Sequence, residues 1–193
     1  ILSNIYIKAE NDLITLIATD LEIELSFKIN CDSIIEPGET TVSARKIFDL
    51  TRSLSDETPL EFNLKENQLI VTALKFNGEF AILPIQDFPV IEIEKFDLET
   101  TLNGQVLADL IDQTSFAMAS QDVRYYLNGI LVEIEGSNVN LVATDGHRLA
   151  WATQRLESDL DENKLILPRK SALELQKLLN LHPGVVNLSF SSN

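Results

Sequence analysis

The stretch ILSNIYIKAENDLITLIATD at residues 1–20 returns as YLNGILVEIEGSNVNLVATD at residues 126–145, shifted by 125 residues without a gap. Seven of the twenty aligned positions are identical, and several others are apolar in both copies. Each copy holds two alternating apolar–polar runs around a polar turn, the pattern of two half-buried antiparallel strands. A repeat of this length matches a whole small domain, whereas solenoid units span roughly 20 to 50 residues. The chain is therefore predicted to carry two homologous domains, although one domain with two similar strand pairs would give the same pattern.

The duplication continues beyond the strand pairs. Ala-Arg-Lys at 44–46 returns as Pro-Arg-Lys at 168–170, and each Arg-Lys pair opens a helical pattern, at 43–54 and at 169–180. Because this helix follows the strand pair in both copies, it favours two domains over the single-domain alternative.

A third helix is predicted at 103–118, where apolar residues recur at helical spacing. Asn103 and Ser43 are candidate N-caps, and Pro168 suits a helix start by its fixed φ. From the repeat, we expect the first domain's counterpart of this helix to lie upstream of Ile1. We also expect the second domain to continue beyond the last predicted strand of the chain. Strands are predicted at 2–9, 13–19, 21–29, 40–42, 60–65, 68–74 and 79–84, and again at 127–134, 139–144, 147–154, 164–167 and 185–190.

The predicted fold class is α+β, with antiparallel sheets and two helices in each complete domain. The first domain is expected at 1–96 and the second at 97–193, joined through the acidic stretch 91–101. Both domains are expected to be truncated in this chain.

Composition limits the classes of function. The chain has 193 residues and a net charge of −15, and this acidity alone argues against a nucleic-acid partner because phosphate repels it. Its apolar runs are far shorter than the roughly 18 residues that a transmembrane helix needs. Cys31 is the only cysteine, which excludes an internal disulfide and fits a reducing compartment such as the cytoplasm.

The scarce cations are concentrated in the two repeated helices. These windows hold six of the fifteen basic residues and two of the thirty acids, so each window carries +2. The six cations are Arg45, Lys46, Arg52, Arg169, Lys170 and Lys177. In the first helix, Ile47, Leu50 and Leu54 form an apolar stripe and the charges take the opposite face. Two interpretations stay open: ordinary amphipathic helices with solvated charges, or a basic surface that contacts phosphates without sequence preference.

Residues 121–126, Gln-Asp-Val-Arg-Tyr-Tyr, join the predicted helix at 103–118 to the following strand. An amide, a cation and two adjacent aromatic rings in an exposed loop are typical of a segment that stacks on bases or lies along a sugar–phosphate chain. The alternative is that the two tyrosines start the strand and one of their rings is buried.

The segment Thr-Asp-Gly-His-Arg-Leu at 144–149 contains an Asp–x–His spacing that suggests catalysis or metal binding. A metal site needs several ligands, and the chain has only two histidines. The first copy repeats Thr-Asp at 19–20 without the histidine, so the aspartate is predicted to serve the turn between strands. Neither a metal nor a cofactor is predicted, and an enzyme that uses Asp145 and His147 stays only as an alternative.

The ordered motifs QDVRYYLNG, ATDGHRLA and LPRK, preceded by TDLEIE, EPGETTVSARKIFDL and LPIQDFP, resemble the family of bacterial DNA sliding clamps, the beta subunits of DNA polymerase III. The resemblance covers essentially the whole chain. It implies the DNA clamp fold, with three similar domains per subunit and two subunits closed head to tail around duplex DNA. It also implies a non-catalytic processivity factor of the cytoplasm, which slides on DNA and tethers the polymerase, the clamp loader and other proteins.

The resemblance further implies which residues form the sites. Those expected to face DNA are Arg45, Lys46, Arg52, Gln121, Arg124, Tyr125, Tyr126, Arg169, Lys170 and Lys177. A pocket for short apolar peptide motifs is expected to include Leu127, Thr144, Gly146, His147, Arg148 and Leu149. Ser120 stands where a relative has histidine, which puts a contact there in doubt, and the strand around 76–82 is expected near the subunit interface. A protein-interaction module that does not bind DNA is the alternative function.

Overall fold

A computed structural model describes residues 1–91, 96 and 98–191, excluding the side chains of 157 and 158. The chain divides into two compact units, Ile1–Glu92 and Ile93–Asn193. Each unit has its own hydrophobic core.

The first unit is built on a seven-stranded antiparallel sheet with a helix against it. Its strands are β1 (Asn4–Glu10), β2 (Leu13–Thr19), β3 (Glu24–Asn30), β4 (Gly38–Ser43), β5 (Glu61–Lys65), β6 (Gln68–Ala73) and β7 (Phe76–Leu83). They lie in the order β3-β2-β1-β4-β7-β6-β5. Helix α1 spans Ala44–Arg52 and follows β4 directly.

The core of the first unit is formed by apolar side chains of the sheet and of α1. Val42 and Val71 are completely buried there, and Leu50 of α1 joins them. Ile47 and Leu54 pack against the same cluster. The predicted apolar stripe of this helix is therefore confirmed, and its burial leaves the charged face of α1 to solvent.

The second unit is built on a long antiparallel hairpin of β9 (Gly129–Thr144) and β10 (Leu149–Pro168). A second antiparallel pair joins β8 (Leu98–Asn103) to β11 (Val185–Phe190). Helices α2 (Gly104–Ser115) and α3 (Arg169–Leu181) pack against each other and against the hairpin. None of the helices in the described part of the chain is long and apolar enough to cross a membrane.

The core of the second unit draws on both helices and the hairpin. Ile111 of α2 and Leu141 of β9 are completely buried, and Ala172 and Leu179 of α3 complete the cluster. Ala143 of β9 and Ala150 of β10 pair with each other and belong to this core, so the core extends close to the turn between the two strands.

The predicted α+β class with antiparallel sheets is confirmed. The two units divide after Glu92, inside the stretch 91–101 that was predicted to join the domains, but the end of that stretch is a strand. Leu98–Asn103 form β8, whereas 92–95 and 97 lie outside the described residues. Strand β8 exists because it pairs with β11, more than eighty residues later in the chain. Local alternation does not reveal a pairing between distant segments.

Four strand predictions were wrong in extent, because each pair of predicted strands belongs to one long strand. The predicted strands at 127–134 and 139–144 are one strand, β9, in which Gly136 adopts a φ of 57°. The predicted strands at 147–154 and 164–167 both belong to β10, whose register shifts between Arg155 and Leu160 and again between Leu160 and Asn163. The polar residues at these irregular points look like turns in sequence.

The helix starts differ in how they are capped. The Asn103 Oδ1 atom accepts hydrogen bonds from the backbone N–H groups of Gln105 and Val106, at 2.9 and 3.4 Å, which confirms this cap. Ser43 precedes α1, but its side chain makes no capping hydrogen bond, so the predicted role is wrong. Both helices are also shorter at their C-terminal ends than the patterns at 43–54 and 103–118 predict.

Candidate functional site

Helix α1 presents three exposed cations, Arg45, Lys46 and Arg52. Arg45 Nε lies 3.7 Å from Asp49 Oδ2 across one helical turn. This is a long contact between two solvated side chains, and such surface pairs contribute little. Asp49 therefore holds the guanidinium of Arg45 only weakly.

Helix α3 presents its cations in a different way. Lys170 and Lys177 are exposed, and Lys177 Nζ pairs with Glu174 Oε1 at 2.7 Å. Arg169 is only partly exposed, because its Nη1 donates a hydrogen bond to the backbone carbonyl of Met118 at 3.3 Å. Its backbone N–H also donates to the carbonyl of Asn128 at 2.9 Å. Arg169 thus ties the start of α3 to the segment before β9 in addition to carrying charge.

The segment 121–126 is an ordered loop held by Asp122. Arg124 makes a two-point contact with this carboxylate, Nε to Oδ1 at 3.0 Å and Nη2 to Oδ2 at 2.9 Å. The backbone of Asp122 is fixed by the amide of Asn128, which both accepts from its N–H and donates to its carbonyl. The hydrogen bonds from Arg124 lower the pKa of Asp122 to about 2. Gln121 is exposed and adopts a φ of 58°, which turns the chain at the start of the loop.

The two tyrosines of this loop are exposed, so the alternative that they start the strand with one ring buried is wrong. Tyr125 is 81% and Tyr126 51% exposed, and their rings meet edge to face at 6.1 Å. They lie in a 3-10 turn that ends at Leu127, and β9 begins only at Gly129. Leu127 itself is buried, so it anchors the loop to the core while the rings stay in solvent.

The turn between β9 and β10 is organised by Thr144 and Asp145. The Asp145 Oδ1 atom accepts hydrogen bonds from the backbone N–H groups of His147 (2.9 Å) and Arg148 (3.0 Å). The Thr144 hydroxyl accepts from the Gly146 N–H at 3.1 Å and donates to the Arg148 carbonyl at 2.7 Å. The bonds from His147 and Arg148 hold the pKa of Asp145 below its ordinary value. The carboxylate is therefore occupied in holding the turn, as the sequence comparison with 19–20 predicts.

Most of the residues at the turn between β9 and β10 are exposed to solvent. Gly146, His147, Arg148 and Leu149 are all exposed, while Thr144 is half-buried. No group of three or more His, Cys, Asp or Glu residues able to hold a metal occurs in the described part of the chain.

The loop at 121–126 and the turn at 144–149 lie side by side. A Cβ atom placed on Gly146 would be 3.5 Å from Nη2 of Arg124. The guanidinium carbon of Arg148 lies 5.7 Å from the ring centre of Phe116, which is itself exposed. The sequence did not single out Phe116, because it reads as one more apolar residue of a helix. The second unit thus gathers two predicted site segments and an additional aromatic ring on one surface.

Two protein-family models match the chain one after the other, and each match covers one of the two repeats. The model of the N-terminal domain of the DNA polymerase III beta subunit matches residues 1–92, and that of its central domain matches residues 101–193. The beta sliding clamp of Pseudomonas aeruginosa is 41% identical over 191 residues, which are 97% of this chain and 52% of that protein. The chain spans about half the length of the curated relatives it matches.

Solved structures agree with this assignment. The crystal structure of the DNA polymerase III subunit beta from Pseudomonas aeruginosa has a TM-score of 0.95 at 40% identity, covering 99% of this chain and 53% of that one. A DnaN sliding clamp from the same organism, bound to griselimycin, has a TM-score of 0.91 at 40% identity, covering 99% of this chain and 52% of that one. Two consecutive domain matches and a shared fold lead to one conclusion: this chain belongs to the family of the bacterial DNA polymerase III beta subunit, the beta sliding clamps.

Proposed function

We propose that the whole protein is a processivity factor, a ring-shaped dimer that encircles duplex DNA and tethers the replicative polymerase to it. The observation that carries the proposal is the repeated placement of cations on α1 and α3 in a chain of net charge −15. Membership of the sliding-clamp family supports the ring architecture. A ring retains DNA by topology, so weak contacts are sufficient and strong ones would hinder sliding.

The proposed DNA-facing residues of the helices are Arg45, Lys46, Arg52, Arg169, Lys170 and Lys177. Their charge favours phosphate contacts, which are independent of sequence and sensitive to salt. The acids elsewhere in the chain disfavour DNA on other surfaces. Arg169 also donates a hydrogen bond to the backbone carbonyl of Met118, so its role is partly structural.

The loop residues Gln121, Arg124, Tyr125 and Tyr126 are proposed as a second DNA contact. Two exposed rings favour stacking on a base or packing along a sugar. The pairing of Arg124 with Asp122 keeps the loop ordered before DNA arrives, which lowers the entropic cost of binding.

The proposed partner pocket includes Leu127, Thr144, Gly146, His147, Arg148 and Leu149. Exposed Leu149 offers an apolar contact, and the ordered turn beside it offers polar groups. Griselimycin-bound clamps among the similar structures support a ligand site in this family. The partners are the polymerase catalytic subunit, the clamp loader and other proteins that carry a clamp-binding motif. The protein performs no bond chemistry, uses no cofactor and acts in the cytoplasm.

A protein-interaction module without DNA binding is the second candidate, and the strongly acidic net charge favours it. The two proposals differ in what happens when DNA is cut. We expect the full-length protein, placed on nicked circular DNA by its clamp loader, to remain bound during gel filtration. Cutting the circle once with a restriction enzyme is expected to release it, since a ring slides off an end. Equal retention on cut and uncut DNA, or none on either, would contradict the clamp.

The pocket has a separate test. His147→Ala in the full-length protein is expected to weaken binding of griselimycin and to leave retention on circular DNA unchanged. A hydrolytic activity that disappears in this variant would instead support the alternative in which Asp145 and His147 are catalytic.

A further inference from the structure

Asn128 lies between the loop at 121–126 and β9, and it belongs to none of the proposed sites. Its side-chain Oδ1 accepts a hydrogen bond from the Asp122 N–H at 3.0 Å, and its Nδ2 donates to the Asp122 carbonyl at 2.9 Å. Its backbone N–H donates to the Tyr125 carbonyl at 3.0 Å, and its own carbonyl accepts from the Arg169 N–H at 2.9 Å. Asn128 therefore connects two points of the loop to the first residue of α3.

The side-chain amide of Asn128 holds the Asp122 backbone with one donor and one acceptor, as a paired strand would. The Asp122 carboxylate in turn accepts from the Arg124 N–H at 2.8 Å as well as from the Arg124 guanidinium. The Leu127 N–H donates to the Arg124 carbonyl at 2.9 Å. The two exposed tyrosine rings lie between these fixed points, so their placement depends on the contact between Asn128 and Asp122.

The backbone link from Asn128 to α3 depends on a close approach at Gly129. A Cβ atom at Gly129 would lie 2.6 Å from the carbonyl oxygen of Leu167, so a side chain there would push β9 away from the end of β10. Gly129 pairs with Pro168, the residue before α3. The start of α3, where Arg169 is proposed to face DNA, is thereby held in register with Asn128.

The first unit separates the two links that Asn128 makes. Ser3 occupies the equivalent place, 125 residues earlier, and its carbonyl accepts from the Ala44 N–H at 3.0 Å. Ala44 begins α1 as Arg169 begins α3. The backbone link between the strand pair and the helix is therefore part of the repeated fold. Serine has no amide group, so the two-point hold on a loop backbone is a property of the asparagine.

We infer that Asn128 is a positioning residue for DNA: its side-chain amide keeps the loop of Gln121, Arg124, Tyr125 and Tyr126 in one arrangement beside the start of α3. The loop and the first residue of α3 are then presented to a phosphate chain together. Side chains that are ordered before binding lose little entropy on contact, so this ordering raises affinity without adding a contact. The inference rests on the proposed DNA contact of the loop and deepens it.

The test compares Asn128→Ser, which introduces the serine of the first unit, with Asn138→Ser, the same exchange at an exposed position of β9. Fluorescence anisotropy measures the equilibrium in which the full-length ring threads onto a labelled linear duplex through an open end. Asn128→Ser is expected to weaken this binding about two- to tenfold, the cost of ordering a loop side chain on contact. Asn138→Ser is expected to leave the binding unchanged.

A double-mutant cycle separates positioning from a general loss of structure. Tyr125→Ala with Tyr126→Ala removes the rings that the loop presents and is expected to weaken binding by itself. Adding Asn128→Ser to this pair is expected to weaken binding much less than in the unaltered protein, because less remains to be positioned. An Asn128→Ser effect of equal size in both backgrounds would overturn the inference.

The same cycle distinguishes a failed inference from a failed DNA contact. If the tyrosine pair weakens binding and Asn128→Ser does not, the inference is overturned while the loop contact stands. If neither change has an effect, the loop contact and the inference fall together, and retention on circular DNA still decides whether the protein is a clamp.

Hydrogen exchange followed by mass spectrometry in the absence of DNA measures the loop directly. In Asn128→Ser, residues 119–127 are expected to exchange faster, whereas 169–181 keep their rate because the backbone link to Arg169 remains. Circular dichroism melts verify folding. Should the serine variant not fold, Asn128→Asp replaces it in the exchange measurement, since its carboxylate can accept from the Asp122 N–H but cannot donate to the Asp122 carbonyl. Unchanged exchange at 119–127 would contradict the positioning role.

Discussion

The turns that follow β2 and β9 have the same construction, although only the second lies in a proposed binding site. In the first turn, the Thr19 hydroxyl accepts from the Leu21 N–H, and Asp20 Oδ1 accepts from the N–H groups of Glu22 and Ile23. Thr144 and Asp145 accept from the three equivalent N–H groups of the second turn. The repeat seen in sequence is thus preserved at the level of single hydrogen bonds.

The three residues after Thr-Asp are where the copies diverge. The first turn has Leu21, Glu22 and Ile23, and the second has glycine, histidine and arginine at the same places. Leu21 adopts a φ of 77°, close to the 87° of Gly146, so a leucine occupies a left-handed position that suits glycine. The comparison separates two features: Thr-Asp builds the turn in both copies, and the three residues that follow differ in the copy that carries the proposed pocket.

Exchanging residues at the left-handed position gives the largest expected change in stability. Gly146→Leu should lower the free energy of unfolding by about 1–2 kcal/mol, the cost of a left-handed backbone for a residue with a side chain. Leu21→Gly should stabilise by less, because glycine also adds about 0.5–1 kcal/mol of unfolded-state entropy. Urea melts measure both. A neutral Gly146→Leu variant would show that the two turns are not equivalent.

The helix starts offer a second, smaller contrast. Asn103→Ala should cost about 1 kcal/mol, because two backbone N–H groups at the start of α2 lose their acceptor. Ser43→Ala at α1 should stay within about 0.5 kcal/mol, since the serine side chain caps nothing. Thermal melts of the two variants provide the comparison, and equal losses would contradict the assigned caps.

The ion pair of the 121–126 loop predicts a dependence on acid. The folded-state pKa of Asp122 is about 2, below its ordinary value of 3.8, so its contribution is complete above the ordinary value. The contribution is lost as pH falls through the folded-state pKa. The exposed Tyr125 and Tyr126 should report this loss as a change in fluorescence between pH 4 and pH 2. Asp122→Asn should remove the change, and a transition that persists in this variant would assign it to another group.

How far sequence alone leads depends on whether a feature is local. The repeat, the stripe at Ile47, Leu50 and Leu54, and the turn role of Asp145 were all predictable, because periodicity and the internal copy carry them. Strand β8 was missed because only its partner β11 reveals it. The acidic stretch around it resembled a linker.

The sites follow the same rule. Adjacent residues such as Tyr125 and Tyr126 could be singled out from the sequence. Their exposure could not be predicted, because the same residues at the start of a strand would have one ring buried. The approach of Arg124 to Gly146 and the position of Arg148 over Phe116 join segments apart in the chain. Only the folded hairpin and α2 bring these groups together.

The central claim is that the cations at matching places on α1 and α3, one helix in each repeat, contact DNA. The most direct measurement is the salt dependence of the equilibrium in which the full-length ring threads onto linear duplex DNA through an open end and slides off again. Each phosphate contact contributes about 0.9 to the slope of log affinity against log salt. Arg45→Glu with Lys46→Glu on α1, and Lys170→Glu with Lys177→Glu on α3, should therefore each reduce the slope by nearly 2. Lys28→Glu with Lys65→Glu, an equal change of charge on exposed residues of β3 and β5, should leave it unaltered. Identical slopes for all three double variants would contradict the claim.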